Sequence, residues 1–269
     1  MTPFVTIIAV AVLAAITLAV VLTLRLEHPW LQPLAILRAV IQLGILSVIL
    51  NGVISDRWWV AAFLIVMVAA ASWVIVRRLR VAARALPAIV GTVIVASAFP
   101  LVVVFATGAV AFSPRYLLAL GGIVIGNTMT VCTLMGRSLG SLFFAQRDEM
   151  EGWLSLGATP RRAALRAVRS AASTALIPST DQTRTTGIVT LPGAFVGAVF
   201  AGASPAQAAQ FQIVVLAAIL AAGALAVAAF SGVFGAPQLL PLDESPLGGR
   251  RICAPAAESS RGRGETHHA

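Results

Sequence analysis

The chain has 269 residues, of which 59% are hydrophobic and only 11% are charged. Soluble domains carry about 25% charged residues, so this composition excludes an ordinary soluble protein and indicates a membrane protein. The net charge of +9 comes from arginines that flank apolar blocks. Because they do not gather on one soluble face, we expect no nucleic-acid partner.

Seven apolar segments are predicted to cross the membrane. A membrane helix needs about 20 apolar residues, and it satisfies its backbone hydrogen bonds internally. In chain order the segments are residues 4–24, 33–54, 58–76, 86–110, 116–135, 186–203 and 208–234. The sequence therefore predicts an all-α, polytopic transmembrane bundle of about seven spans over residues 1–235. Residues 236–269 are rich in Gly, Pro, Ser and Arg, and we expect a disordered cytoplasmic tail.

The arginines also predict the orientation, because cytoplasmic loops hold an excess of basic residues. Arginines cluster after the third span, after the fifth span and in the tail, whereas the opposite loops hold only Arg57 and Arg115. We therefore expect the N-terminus outside and the C-terminus in the cytoplasm, with membrane lipid around the bundle.

The longest hydrophilic segment, residues 136–185, is predicted to be a cytoplasmic coupling segment. Within it, Glu151 and Gly157 have the spacing of the Glu-Ala-Ala-x-x-x-Gly loop by which ABC permeases dock on their ATPase. Gly152 and Trp153 stand where that loop has two alanines. An ordinary amphipathic helix between two spans would also fit this spacing.

The residues that follow predict a turn between two helices. Gly157 and Ala158 can end one helix, because glycine adopts the left-handed conformation of a helix C-terminus. Thr159 can be the N-cap of the next helix and Pro160 its first residue. We expect these residues, with Glu151, to couple the chain to an ATPase.

A longer stretch carries a family resemblance. The run IPSTDQTRTTGIVTLPGAFVG at 177–197, with AGASP at 201–205 and IGNTMT at 125–130, closely resembles the FetB-like ABC permeases. That family includes bacterial iron exporters and plant relatives linked to aluminium tolerance. The resemblance implies a multi-pass inner (plasma) membrane permease that pairs with a separate ATPase subunit, as a permease homodimer. It also implies metal homeostasis, with iron export as the expected activity.

Motifs for nucleotide binding and catalysis are absent from the sequence. There is no Gly-x-x-x-x-Gly-Lys-Ser/Thr loop, no His-Glu-x-x-His and no Gly-x-Ser-x-Gly. We therefore expect a chain that is not an enzyme and binds no cofactor, with ATP held by the partner subunit.

Polar residues in or near the spans are candidates for a transport path, because polar groups in a bilayer are costly and often functional. They are Arg38, Gln42, Asn127, Thr128, Thr130, Asp181 and Arg184. Asp181 and Arg184, three residues apart, can equally form a structural ion pair. Arg38 can equally extend to the interface, with Gln42 as a hydrogen-bonded neighbour.

Two further patterns lie in the predicted fifth and sixth spans. Met129, Cys132 and Met135 recur every three residues, which suits a soft metal but suits core packing better. In the sixth span, Pro192, Gly193 and Gly197 favour a broken helix and close packing, either within the chain or between copies.

Two other functions stay open. An ion-gradient-driven secondary transporter would work without an ATPase and would depend on Asp181. A non-transporting membrane assembly subunit would tolerate substitution of Arg38 and Asn127 but not of the coupling segment.

Overall fold

The computed structural model describes residues 3–25, 29–53 and 57–236. These residues form α-helices and no strand, which confirms the predicted all-α class. The predicted tail lies outside the described residues, apart from Ala236. The helices are α1 (Pro3–Thr23), α2 (Leu31–Val53), α3 (Arg57–Leu79), α4 (Leu86–Ala106), α5 (Pro114–Ala145), α6 (Arg147–Ser155), α7 (Pro160–Ala163), α8 (Leu165–Thr185), α9 (Gly193–Phe200) and α10 (Pro205–Phe234).

The chain divides into two compact units, residues 1–63 and 64–269. In the first unit, α1 and α2 pack against each other. Their outer surfaces are apolar and exposed almost throughout, as expected of helices that face lipid. In the second unit, α4, α5, α8 and α10 pack together around the main core.

Six of the described helices, α1 to α5 and α10, are long and apolar enough to cross a membrane. The predicted span at 186–203 is not among them, because α9 has only eight residues. Eight residues extend about 12 Å, well short of the bilayer core. A compact loop precedes α9, with Gly187 at φ +84° and an isolated bridge between Thr186 and Thr190.

Helix α8 has 21 residues, which is also long enough to cross a membrane, although it is not among the six apolar helices; it packs against α5 and α10. Val168 lies beside Gly235 and Leu176 beside Gly223, so α8 runs antiparallel to α10. The segment 136–185 thus contains the end of α5, then α6 and α7, and all of α8.

Small residues allow this close packing. On α8, the buried positions recur every four residues at Ala167, Ala171, Ala175 and Ser179. Small residues at this spacing let helix backbones approach each other closely. On α5, Gly136 faces Leu79 of α3, where an added Cβ would lie 2.7 Å from Leu79 Cδ2 and closer still to Cδ1.

Candidate functional site

The turn between α6 and α7 is a complete Schellman motif. The Ala158 N–H donates to the Trp153 carbonyl at 3.0 Å, and the Gly157 N–H donates to the Leu154 carbonyl at 3.0 Å. Gly157 has φ +85°, a conformation that side chains with a Cβ disfavour. The predicted glycine turn is therefore present.

The start of α7 follows directly. Thr159 has an extended backbone and occupies the N-cap position, and Pro160 is the first helical residue. The Thr159 carbonyl accepts from the N–H groups of Arg162 and Ala163. Its side chain makes no capping hydrogen bond, so the backbone and Pro160 set this helix start.

The same arrangement occurs before α10. Gly202 has φ +94°, its N–H donates to Val199, and Ala203 donates to Ala198. Ser204 then caps α10 by a reciprocal pair of hydrogen bonds with Gln207. In both Gly-Ala-Thr-Pro and Gly-Ala-Ser-Pro, a glycine with positive φ thus follows the end of one helix, and the proline begins the next.

Two ion pairs fix α6. Arg147 Nε donates to Glu151 Oε1 at 2.6 Å along the helix, and Arg166 of α8 approaches Glu149 at 3.2 Å. Glu151, which the sequence predicts to be a coupling residue, therefore lies in the middle of α6 and is held by Arg147 at the start of the helix. Both pairs are partly exposed to solvent.

Apolar side chains around the Gly157 turn are exposed. Leu156 is 81% exposed and Trp153 is 52% exposed, although both stand in a hydrophilic segment. They border a cavity of about 500 Å³ that is also lined by Gly157, Ala158 and Arg162. The cavity is open, and its walls are partly apolar and partly polar.

In the helix bundle, Asn127 joins three helices. Its Nδ2 donates to the Ile219 carbonyl of α10 at 3.2 Å, and its Oδ1 accepts from the Ser179 hydroxyl of α8 at 2.9 Å. Buried amides and hydroxyls need such partners. We call Asn127, Ser179 and the Ile219 carbonyl the amide cluster.

The neighbouring threonines of α5 have different surroundings. Thr128 is fully buried, and within the described part of the chain its hydroxyl has no hydrogen-bond partner. Thr130 is exposed, and it donates to the Gly126 carbonyl of its own helix. The structure therefore places Thr128 and Asn127 inside the bundle and Thr130 on its surface.

The charged candidates lie on exposed surfaces. Arg38 and Gln42 are exposed on α2, in the first unit. Asp181 and Arg184 are exposed near the end of α8. Across the part of the chain that the structure describes, the ion pairs are the two that involve α6, so Asp181 and Arg184 do not pair with each other.

The sulfur-containing residues of α5 lie in the core. Cys132 and Met135 are buried in the main hydrophobic cluster, and Met129 packs against it. Within the described ranges, no group of three or more His, Cys, Asp or Glu side chains is placed to hold a metal ion. Packing accounts for these three residues.

The glycines of α9 do not make a close contact within the chain. Pro192 precedes α9 in the N-cap position. An added Cβ at Gly193 or Gly197 would meet no atom within 4 Å. Pro192 instead lines a cavity of about 160 Å³, together with Gln212 of α10.

Two polar residues of the bundle were not predicted from the sequence. Ser179 completes the amide cluster. Gln212 is only 6% exposed, and its buried side-chain oxygen has no hydrogen-bond partner among the residues that the structure describes. The four-residue spacing of small residues on α8 is the signal that could have identified Ser179 as buried.

The apolar helices and the polar residues between them define a polytopic α-helical membrane protein. The model of the uncharacterised protein family UPF0014 matches residues 4–236, and the chain belongs to this family.

Several proteins of plants and bacteria are similar to this chain. "UPF0014 membrane protein STAR2" of Oryza sativa subsp. japonica is 34% identical over 214 residues, which are 77% of this chain and 74% of that protein. "Probable iron export permease protein FetB" of Escherichia coli (strain K12) is 30% identical over 190 residues, 70% and 73% of the two chains. "Protein ALUMINUM SENSITIVE 3" of Arabidopsis thaliana is 34% identical over 215 residues, 77% and 76%. No solved structure shows a significant match.

Proposed function

We propose that this chain is the membrane-spanning permease subunit of an ABC transporter and that it docks on a separate ATPase subunit. The observation that carries the proposal is the α6–α7 turn, with its fixed backbone and its exposed Leu156 and Trp153. A transporter subunit without a nucleotide-binding motif needs such a surface to couple its conformation to ATP hydrolysis on the partner subunit.

The charge at this end of the bundle supports a cytoplasmic position for the turn. Arg161, Arg162, Arg166 and Arg169 all lie in α7 and the first turns of α8. Because basic residues concentrate on the cytoplasmic side, the ATPase would meet α6 and α7 there. The N-terminus would then lie outside, and the protein would reside in the inner (plasma) membrane.

The substrate proposal rests on a relative's name. The Escherichia coli relative is named a probable iron export permease, and we extend metal export, with iron as the first substrate to test, to this chain. The permease acts as a homodimer, and its path includes the polar residues of α5 and α8. Arg38 and Gln42 of α2 remain proposed transport residues.

The test is co-purification of the tagged, full-length chain from its own cells in mild detergent. We expect a stoichiometric ATPase subunit, and we expect Leu156→Asp to remove it, because the substitution places a charge in an apolar contact. Ile188→Asp is the matched control, since Ile188 is 87% exposed but lies beyond the opposite end of α8.

A second pair of variants isolates the turn geometry. Added Cβ atoms at Gly157 and Gly152 meet no atom within 4 Å, but only Gly157 has a positive φ. We therefore expect Gly157→Ala to weaken ATPase binding and Gly152→Ala to preserve it. An intact chain that never retains an ATPase would contradict the proposal and favour the gradient-driven transporter, with Asp181 as the next residue to test.

A further inference from the structure

The outer face of α8 carries several polar side chains beside the exposed Ile177, at a depth where the helix bundle should be surrounded by lipid. Ser179 of α8 contacts Asn127, which lies about 20 Å from one end of α5 and about 27 Å from the other. The neighbouring part of α8 is therefore near mid-depth. The exposed polar side chains of this part are Ser173, Thr174, Asp181, Gln182 and Arg184, and we call them the α8 stripe.

Every residue of the α8 stripe lies within about 9 Å of Ser179 along the helix axis. The hydrocarbon core extends about 15 Å on each side of its centre. Charged groups at such depths are found facing water-filled cavities or polar partners rather than lipid. The opposite face of α8, with Ala171 and Ala175, is the one that packs in the bundle.

On the same side of α8, one backbone carbonyl lacks its usual helical hydrogen-bond donor. Pro178 lies inside the helix and has no N–H to donate to the carbonyl of Thr174. Both residues are exposed. A carbonyl freed in this way needs a donor, and lipid supplies none, so a water-facing position would satisfy this carbonyl better than a lipid-facing one.

Asp181 and Arg184 supply complementary charges, and among the described residues neither of them forms an ion pair. They are three residues apart, so they lie close together on the helix surface. Helical side chains lean towards the N-terminus, which brings the long Arg184 side chain towards the level of Asp181. A two-fold axis along the membrane normal would place each carboxylate opposite the guanidinium of a second copy.

We propose that the α8 stripes of two copies of this chain face each other across a water-filled path, and that Asp181 of each copy pairs with Arg184 of the other. The two ion pairs close the path near mid-depth, and the solute passes when they separate. This inference rests on the proposed permease function and assigns the surface on which its two copies meet.

Water in the path is tested by thiol labelling. The background is the full-length chain with Cys132→Ala and Cys253→Ser, in membrane vesicles. Ser173→Cys and Thr174→Cys should react with a membrane-impermeant thiol reagent at least about tenfold faster than Val102→Cys, because the reactive thiolate forms only in water. Val102 is 64% exposed but lies on the apolar surface of α4. Labelling as slow as at Val102 would overturn the water-filled path.

The ion pairs are tested by charge reversal in two differently tagged copies. One copy carries Asp181→Arg, so that both positions are basic, and the other carries Arg184→Asp, so that both are acidic. Co-expressed, they should form mixed dimers about tenfold in excess over each like pair, whereas two unmodified copies pair at random. Random pairing of the charged copies would overturn the assignment.

Neither measurement needs an ATPase. A positive result alongside no captured ATPase would therefore reject the ABC proposal and leave the α8 surface established. If the chain captures an ATPase but its α8 stripe fails both tests, the ABC proposal stands and the proposed α8 surface is rejected.

Discussion

The amide cluster predicts a measurable coupling between α5 and α8. Asn127 makes two interhelical hydrogen bonds, and such bonds in membrane bundles contribute about 0.6 kcal/mol each, with a maximum near 1.7. We expect Asn127→Ala to lower the free energy of unfolding by about 1–1.5 kcal/mol. Ser179→Ala should lower the free energy of unfolding by less, because it removes only the hydrogen bond to Asn127.

A double-mutant cycle isolates the Ser179–Asn127 bond. Unfolding of the purified protein is followed in mixed micelles as the fraction of a denaturing detergent increases. We expect the two single costs to exceed the cost of the double variant by about 0.6 kcal/mol. Thr130→Ala is the control, because that exposed hydroxyl bonds only its own helix. If the losses of unfolding free energy in the two single variants add up to the loss in the double variant, the bond does not contribute to stability.

Two further predictions concern packing on α5. Gly136→Ala should lower the free energy of unfolding by about 1–3 kcal/mol, because its Cβ would overlap the buried Leu79 side chain. Gly126→Ala should stabilise the helix, since its Cβ meets no atom within 4 Å. Equal changes in the free energy of unfolding for Gly136→Ala and Gly126→Ala, measured in detergent, would contradict this expectation. The combination Met129→Leu with Cys132→Ala should leave substrate transport by reconstituted vesicles unchanged, because these residues pack in the core. A loss of transport, with folding intact, would instead indicate a sulfur-lined metal site.

Local signals made the helix ends predictable. The start of α7 at Pro160 and the turn at Gly157 follow from neighbouring residues alone, through steric preferences that need no tertiary contact. The same holds for α10, where Ser204 and Pro205 define the first turn.

Helix α8 could not be identified in this way. A hydropathy average counts both faces of a helix, and α8 carries its polar residues on one face and only small residues on the other. The segment 186–203 has the opposite character, since it is apolar but interrupted by Gly187 and Pro192. Hydropathy therefore favoured the segment 186–203, although only the eight residues of α9 form a helix there.

The polar site was predictable only in part. Asn127 stands out in the sequence because an amide inside an apolar span needs a partner. Its partners lie 52 and 92 residues further along the chain. Which residues they are depends on how α8 and α10 pack, and no local pattern around Asn127 contains that information.

The two ion pairs of α6 have unequal mechanical consequences. Arg147–Glu151 stiffens the helix internally, whereas Arg166–Glu149 is its side-chain link to α8, with the arginine 76% exposed. An exposed pair of this kind contributes about 0–1 kcal/mol and weakens with salt. The buried Met150, which is 2% exposed within the main hydrophobic cluster, therefore anchors α6 more firmly than its ion pairs do, and raising the ionic strength should leave α6 packed on the bundle.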